Sequence, residues 1–223
     1  MSDSKKLNHF ITKYLPYFPI FGLGLYVIVY TYAVSMYPGG STNYPDATSY
    51  SFNHNLLCDA MDPITKGGHY NTARFMAVIS HIILGLTMTT FFYILPKIFS
   101  VQNLKTKLIS FFGMSAMTVL IFMYTQYHDL MVVITAILGS IAFIPFFIEL
   151  HRYHNKNYKS LVYLCYALSI VVFFIFQTNI GVYYLPFIQK IAFIIDAWWV
   201  IWTCQIVMNL NKKSLKLNLN RNY

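Results

Sequence analysis

The chain has 223 residues, of which 57% are hydrophobic and only 10% are charged. About a quarter of the residues are charged in an ordinary soluble domain, so this composition excludes that class. The formal net charge of +9 does not indicate a nucleic-acid partner, because most of the basic residues fall on one side of a series of apolar segments, with only Lys66, Arg74 and Lys190 on the other.

Apolar runs of about 20 residues, enough for a helix to cross about 30 Å of hydrocarbon, recur along the chain. They predict an all-α, polytopic membrane protein in which residues 1–223 form a single six-helix bundle without a soluble catalytic domain. The predicted spans lie near residues 14–37, 73–95, 108–126, 130–150, 160–178 and 186–209.

The one long connection, residues 38–71, is rich in the turn formers Gly, Pro, Asn, Ser and Asp. Its middle part, residues 52–61, carries apolar residues at a spacing that fits a short amphipathic surface helix. An irregular loop fits the same composition, and both interpretations stay open at this stage.

Basic residues mark one side of the six spans. They lie before the first span, between the second and third, between the fourth and fifth, and after the sixth: Lys5, Lys6, Lys13, Lys97, Lys105, Lys107, Arg152, Lys156, Lys159, Lys212, Lys213, Lys216 and Arg221. The positive-inside rule therefore predicts that both termini are cytoplasmic and that segment 38–71 faces outward. We expect the basic side to meet anionic lipid headgroups.

Two polar residues near the outer end of the second span attract attention. His81 lies inside the span, and Arg74 is seven positions earlier, on nearly the same helix face. Ionisable residues inside a span usually face the bundle interior and have a partner. His81 fits either a buried histidine bonded to a carbonyl or hydroxyl, or a ligand or general base. Arg74 is suited to bind a phosphate or carboxylate headgroup.

Three further ionisable residues complete the candidate set. His128 and Asp129 form the predicted outer turn between spans three and four. Asp129 fits the N-cap of span four, where a carboxylate meets unpaired N–H groups, and that position is compatible with a catalytic role. Asp196 lies near the middle of span six as an intramembrane acid, either protonated and hydrogen-bonded or paired with a cation.

The topology predicts that Arg74, His81, His128 and Asp129 meet at the outer face, whereas Asp196 lies deeper in the membrane. We expect His81, His128, Asp129 and Asp59 to be the acid and base candidates, with Arg74 binding substrate. His81, His128 and Asp129 also suit a divalent metal such as zinc as a cofactor. Other members of the predicted cluster lie in the long segment: His54, Cys58, Asp62 and His69. The sequence contains no HExxH, GxSxG, phosphate-binding glycine loop or haem motif.

Several short motifs carry a resemblance to a known group of proteins: Tyr37-Pro38-Gly39-Gly40, Asn55, Cys58-Asp59, Asn71, Ala73-Arg74, Tyr127-His128-Asp129-Leu130-Met131 and Tyr184-Leu185-Pro186. With these motifs the chain resembles a group of bacterial multi-pass membrane proteins of unknown function that is frequent in Bacteroidetes. That group is distantly similar to the eukaryotic DRAM/Sfk membrane proteins. The resemblance implies a polytopic bundle in a bacterial inner membrane and transfers no activity.

Three functions fit the sequence. The sparse deep polar residues favour a packing or scaffold subunit of a membrane complex, with other membrane proteins as partners. The predicted outer cluster favours a lipid-acting enzyme, a metal-assisted hydrolase or transferase. A small transporter ranks last, because the two halves lack matching Gly- or Pro-broken spans.

Overall fold

A computed structural model describes residues 13–99 and 101–220, with side chains as far as residue 214. Within this part of the chain, six helices are long and apolar enough to cross a membrane, which confirms the all-α polytopic class. The helices are α1 (Tyr17–Ser35), α2 (Arg74–Ile94), α3 (Leu104–Leu120), α4 (His128–His151), α5 (Lys156–Thr178) and α6 (Leu185–Asn220).

Two helices begin earlier than the apolar pattern predicts. Helix α3 begins at residue 104 rather than 108, because Asn103 and Thr106 form a capping box in which each side chain bonds the other's backbone N–H. Helix α5 begins at residue 156 rather than 160, since the Asn155 side chain accepts a hydrogen bond from the backbone N–H of Tyr158. Lysines in these first turns hide the helix starts from a hydropathy pattern.

Helix α2 lies at the centre of the bundle and packs against α1, α3 and α6. Its approach to α3 depends on Gly113, where an added Cβ would lie 2.1 Å from a ring carbon of Phe92. Helices α3 and α4 form another close pair, and α5 packs mainly against α6. By contrast α4 and α5, although joined by a short loop, separate along much of their length.

An aromatic core fills the end of the bundle that holds the basic loops. The Phe91 ring meets the Trp199 indole edge-on at a centroid distance of 5.1 Å, and Phe146 packs against the same indole at 5.9 Å. The Trp199 N–H donates to the Tyr158 hydroxyl at 3.0 Å, which lies 2.9 Å from the Thr203 hydroxyl. This end is therefore densely packed, and its buried polar atoms are satisfied.

The segment between α1 and α2, residues 36–73, folds over the opposite end of the bundle and is called the cap. Turns and bends dominate it, and residues 52–61 form no surface helix beyond the single 3-10 turn Asp59–Met61. The irregular-loop interpretation is therefore correct, and the amphipathic helix was wrong. The bundle thus has three levels along its axis: the cap, a middle level and the aromatic core.

Candidate functional site

The cap is held by buried side chains that bond to backbone. Asn55 is fully buried, and its amide donates to the Gly40 carbonyl at 2.8 Å and to the Asp59 carboxylate at 3.0 Å. The Asn55 carbonyl oxygen accepts from the Ser51 N–H at 2.9 Å. The same Asp59 oxygen also accepts from the Leu56 N–H at 2.9 Å. Asp59 therefore organises the cap loop.

A second buried asparagine joins the cap to α2. The amide of Asn71 donates to the carbonyls of Ala60 and Asp62 at 2.9 and 2.8 Å. Its side-chain oxygen accepts from the Ala73 N–H at 3.0 Å, immediately before the helix begins. Arg74 lies beside this junction, where its Nε donates to the Met61 carbonyl at 3.2 Å. Thus Arg74 bonds to the cap backbone.

Helix α6 reaches into the cap through two consecutive side chains. The buried Lys190 ammonium donates to the carbonyls of Asn55 and Pro186. It also lies over the Tyr50 ring, 5.6 Å from the centroid. The neighbouring Gln189 accepts a hydrogen bond from the Leu57 N–H at 2.9 Å. These contacts fix the cap to the last helix as well as to α2.

Burial changes the acidity of several cap groups. It raises the pKa of the Asp59 carboxyl, and the hydrogen bonds from Asn55 and Leu56 oppose that rise. Burial, together with the nearby Asp59 charge, also raises the pKa of the Cys58 thiol to about 12. A thiol with so high a pKa is not a nucleophile near neutral pH, so Cys58 is a wall residue.

A cavity of about 530 Å³ occupies the middle level, below the cap and above the aromatic core. Its size lies within the range of about 300 to 1,000 Å³ typical of small-molecule sites. Side chains of all six helices line it. Helices α2, α4, α5 and α6 contribute both polar and apolar residues, α3 contributes Met117 and Leu120, and α1 contributes Tyr26 and Tyr30. The polar lining groups include Ser80, His81, His128, Gln189 and Asp196.

His81 lines the cavity from α2. Its Nε2 lies 2.8 Å from the Leu120 carbonyl, at the end of α3. A carbonyl only accepts, so Nε2 carries the proton and Nδ1 is left with a lone pair. This geometry matches the buried histidine bonded to a carbonyl, and the position on the cavity wall is compatible with a ligand-binding role.

His128 and Asp129 form a pair at the start of α4. The Nδ1 of His128 lies 2.9 Å from the Asp129 carboxylate, and the His128 side chain is 26% exposed. Its other nitrogen, Nε2, is buried without a hydrogen-bond partner. His128 also lines the cavity. A buried nitrogen without a partner is costly, and a bound molecule with a hydrogen-bonding group would satisfy it.

Asp196 lines the deepest part of the cavity. It lies eleven residues beyond the start of α6 at Leu185, about 17 Å along the helix axis at 1.5 Å per residue. The Cys165 thiol of α5 lies close to this acid, and it donates to the carbonyl of the adjacent Ile195 at 3.7 Å. A thiol is a weak donor, so this intramembrane acid lacks a cationic partner in the described part of the protein.

A gap between α4 and α5 opens the cavity toward the side of the bundle, and we call it the window. At the cap end it is bounded by the rings of His128 and Phe176, 5.9 Å apart, and farther along by Phe143 and Tyr166, 5.1 Å apart. Between these contacts the cavity is lined by small or exposed residues of both helices: Thr135, Ala136, Gly139, Ser140, Ser169 and Ile170. The window therefore lies midway along two helices that are long and apolar enough to cross a membrane.

The structure divides the predicted outer cluster. His81 and His128 line one cavity, and Asp129 does not line it but bonds to His128. By contrast, Asp59 and Arg74 make their hydrogen bonds within the cap. Asp129 is not the N-cap of α4: Tyr127 holds that position, and the Asp129 carboxylate takes His128 instead of free backbone N–H groups. No group of three His, Cys, Asp or Glu side chains suited to a metal occurs among the described residues.

Several lining residues did not figure among the sequence candidates. The aromatic walls come from α1, α4, α5 and α6: Tyr26, Tyr30, Phe143, Tyr166, Phe173, Phe176 and Phe193. In sequence they are indistinguishable from the many aromatic residues that face lipid. The available signal for Gln189 was its position in the first turns of an otherwise apolar span.

Comparisons of the chain with known protein families, with curated proteins and with solved structures found no match. Four of the motif residues noted in the sequence have a structural role in the cap, because Gly40, Asn55, Asp59 and Asn71 supply most of its buried hydrogen bonds. Gly40 also has a φ of 86° and lies so close to the Gly67 backbone that a side chain would not fit.

Proposed function

We propose that this membrane protein binds an amphipathic small molecule, drawn from the bilayer, in the cavity between its helices. The observation that carries the proposal is the combination of about 530 Å³ of space with a buried, unpartnered His128 Nε2 at its edge. Binding sites are mostly apolar with a few placed polar groups, and this cavity has that composition. The window supplies a path that does not cross the cap.

The predicted scaffold role competes with ligand binding. It rested on the scarcity of deep polar residues in the sequence. A subunit whose helices only pack against partners gains nothing from unfilled space, since voids in a packed bundle lose dispersion contacts. The cavity therefore favours ligand binding over a scaffold role. That the protein also associates with other membrane proteins stays a separate prediction.

We further propose that the cap faces outward and both termini face the cytoplasm of a bacterial inner membrane. Basic side chains gather at the end opposite the cap, as the positive-inside rule requires. A membrane-impermeant maleimide applied to intact cells is expected to label Lys66→Cys in the cap and not Lys156→Cys at the start of α5. Labelling of Lys156→Cys alone would reverse the orientation without affecting the cavity.

Filling the cavity tests the proposed binding. An added Cβ at Gly139, on the cavity wall, meets no atom within 4 Å, and the same holds at Gly24 on the exposed face of α1. Gly139→Leu should therefore fill the site without a clash, and Gly24→Leu provides a matched control. Both variants replace a helical glycine, so their effects on helix propensity are the same.

The readout is photolabelling in membranes with a small apolar diazirine, followed by peptide mapping. We expect labelled peptides from α4 and α5 around the window in the wild type and in Gly24→Leu, and loss of that labelling in Gly139→Leu. Native mass spectrometry of the purified protein should show a retained small molecule with the same dependence. Equal labelling and equal retention in all three proteins would contradict ligand binding in the cavity.

A lipid-acting enzyme is the second candidate, and the His128–Asp129 pair favours it. With Nδ1 bound to Asp129, the free Nε2 is placed to accept a proton from a water molecule as that water attacks a lipid ester. The proton then passes to the departing alkoxide, which leaves an acid and an alcohol. Such a site acts on the molecule that the cavity binds.

Two conservative variants separate this enzyme from a binding protein. His128→Gln removes the base, and Asp129→Asn weakens its orientation while keeping the size of the side chain. If the protein is a hydrolase, both variants should retain intact lipid whose cleavage products accumulate with the wild type. Identical lipid masses bound to all three proteins would exclude hydrolysis and leave binding intact.

A further inference from the structure

The charge and the walls of the cavity define the ligand more closely. We propose that the cavity binds a lipophilic cation, an amine or other onium group on an apolar or aromatic body, with its charge beside Asp196. This inference rests on the proposed ligand binding and specifies its chemical class. It follows from the lining residues, the position of the acid and the arrangement of the aromatic rings.

Asp196 supplies the only formal negative charge among the described residues that line the cavity, and no lysine or arginine lines it there. The buried lysine of α6, Lys190, instead bonds to the carbonyls of Asn55 and Pro186. A carboxylate within a membrane bundle needs a partner or must take up a proton. A bound cation would supply that partner, whereas an anionic ligand would be repelled.

Two aromatic patches lie in the same cavity as Asp196. Three residues before it on α6, Phe193 packs on Tyr26 with a centroid distance of 5.1 Å, and Tyr26 stacks on Tyr30 at 5.5 Å. Residues three apart on a helix are neighbours on its surface, so this patch adjoins the acid.

On α5, the Cys165 thiol donates to the carbonyl of Ile195, the residue before Asp196, and the next residue of α5, Tyr166, lines the same cavity as Asp196. The Tyr166 ring packs against Phe143 of α4 at 5.1 Å. Two groups of rings in the same cavity as a single carboxylate favour a cation, because the faces of aromatic rings attract positive charge. The same surfaces provide apolar contact for the body of the ligand.

The two histidines do not oppose a cation. His81 donates Nε2–H to the Leu120 carbonyl, and its Nδ1 has a lone pair. His128 is neutral when Nδ1–H is bound to Asp129 and Nε2 lacks a proton. In these forms both rings offer acceptors, which suit a protonated amine that carries N–H groups.

Two probes of one shape and opposite charge test the proposal: tetraphenylphosphonium and tetraphenylborate. Their binding to the purified full-length protein in detergent is measured by equilibrium dialysis. For the wild type we expect saturable binding of the cation at least tenfold tighter than that of the anion. Asp196→Asn should weaken cation binding at least tenfold, and Asp196→Glu should retain most of it.

Two controls separate charge recognition from general effects. Asp62→Asn makes the same substitution at an acid that pairs with Lys66 on the cap surface, and cation binding should not change. Gly139→Leu should abolish saturable binding of both probes, because it fills the cavity. Thermal unfolding of Asp196→Asn verifies that the variant is folded.

The outcomes distinguish this inference from the proposed function. Suppose that Gly139→Leu blocks binding, but that the two probes bind equally well or that Asp196→Asn has no effect. This result would overturn the proposal of a cationic ligand and would leave ligand binding in the cavity supported. Absence of saturable cation binding by the folded wild type would also overturn the cation. In that case diazirine labelling of the window still decides whether the cavity binds any molecule.

Discussion

Asn55 in the cap and His128 at the cavity are polar residues with buried atoms, and they have opposite surroundings. Asn55 uses its amide and its carbonyl oxygen in three hydrogen bonds within the cap. His128 has one nitrogen bonded to Asp129 and the other buried without a partner. Folded proteins pair nearly all their buried polar groups, so the exceptions call for an explanation.

The difference separates residues that hold the fold from residues available for binding. The buried asparagines and Asp59 of the cap are satisfied by neighbours from the cap, α2 and α6, although Nδ1 of His54 in the cap is buried without a hydrogen-bond partner. Substitution of the satisfied residues should cost stability. Cavity groups such as His128 and Asp196 should contribute little to the stability of the fold and should lower the free energy of unfolding slightly. This is common where binding requires unpaired polar groups. Apolar substitutions in the cap should therefore lower the free energy of unfolding, whereas those in the cavity should leave it unchanged or raise it.

The largest loss of stability is expected for Asn55→Ala. The change leaves the Ser51 N–H without its partner and removes one of the two donors to the Gly40 carbonyl, which keeps the Tyr37 hydroxyl. With the space left by the side chain, this should lower the free energy of unfolding by about 3 kcal/mol. Steric trapping in bicelles measures this quantity. The exposed neighbour Asn53→Ala is the matched control and should change it by less than about 0.5 kcal/mol. Equal effects would remove the distinction between buried and exposed cap residues.

A glycine pair tests whether unfilled space is specific to the cavity. Gly113→Ala places a methyl group against the Phe92 ring and should lower the free energy of unfolding by about 2 kcal/mol. Gly139→Ala, which meets open space, should leave it unchanged or raise it. The same unfolding measurement applies, and a loss at Gly139 equal to that at Gly113 would mean that the cavity wall is packed.

Asp59 tests the structural role of a residue that the sequence placed among the catalytic candidates. Asp59→Ala removes an acceptor for the Asn55 amide and the Leu56 N–H, at a cost of about 1 to 2 kcal/mol. Asp59→Asn keeps an acceptor oxygen and should be nearly as stable as the wild type. Loss of ligand binding in a stable Asp59→Asn protein would instead mean that Asp59 belongs to the functional site.

The pH dependence of stability has a definite sign for the same residue. Because burial raises the pKa of Asp59, the folded protein keeps a proton that the unfolded chain loses at lower pH. This group therefore stabilises the fold below the ordinary range of aspartate, and its contribution falls as the pH rises toward the folded pKa. As the pH rises, the free energy of unfolding of the wild type should therefore fall relative to that of Asp59→Asn, which does not titrate there. A difference between the two proteins that does not depend on pH would contradict this prediction.

The smallest effect is expected at the cap surface. Lys66 and Asp62, four residues apart in the irregular cap, form an exposed ion pair at 3.1 Å. Exposed pairs contribute little, so Lys66→Ala should change the free energy of unfolding by less than about 0.5 kcal/mol. Thermal unfolding at low and high salt measures it, and a large loss would show that the cap depends on its surface charge.

Much of the fold could be predicted from the sequence because apolar run length is a local property. It located all six spans, and it missed the true starts of α3 and α5 because asparagine caps extend those helices through lysines. The cap was less predictable. Its shape depends on bonds between distant parts of the chain, such as Lys190 to the Asn55 carbonyl, for which a sequence pattern has no signal.

The candidate site was partly predictable for the same reason. Topology placed His81 and His128 at one end of the bundle, and both line the cavity there. Asp59 and Arg74 lie at that end too, but the bonding of the cap loop takes them away from the cavity. Asp196 was identifiable as a costly intramembrane acid, whereas its aromatic surroundings depend on how α1, α4 and α5 pack around α6.

The most direct test compares the free energies of unfolding of apolar replacements in the two regions, measured by steric trapping without added ligand. Asp196→Leu and His128→Phe replace cavity groups, and Asn55→Leu replaces a cap group of similar size. We predict that both cavity variants are as stable as the wild type or more stable and that they lose ligand binding, whereas Asn55→Leu unfolds more easily. Destabilisation of the cavity variants by as much as Asn55→Leu would contradict the division between a structural cap and a binding cavity.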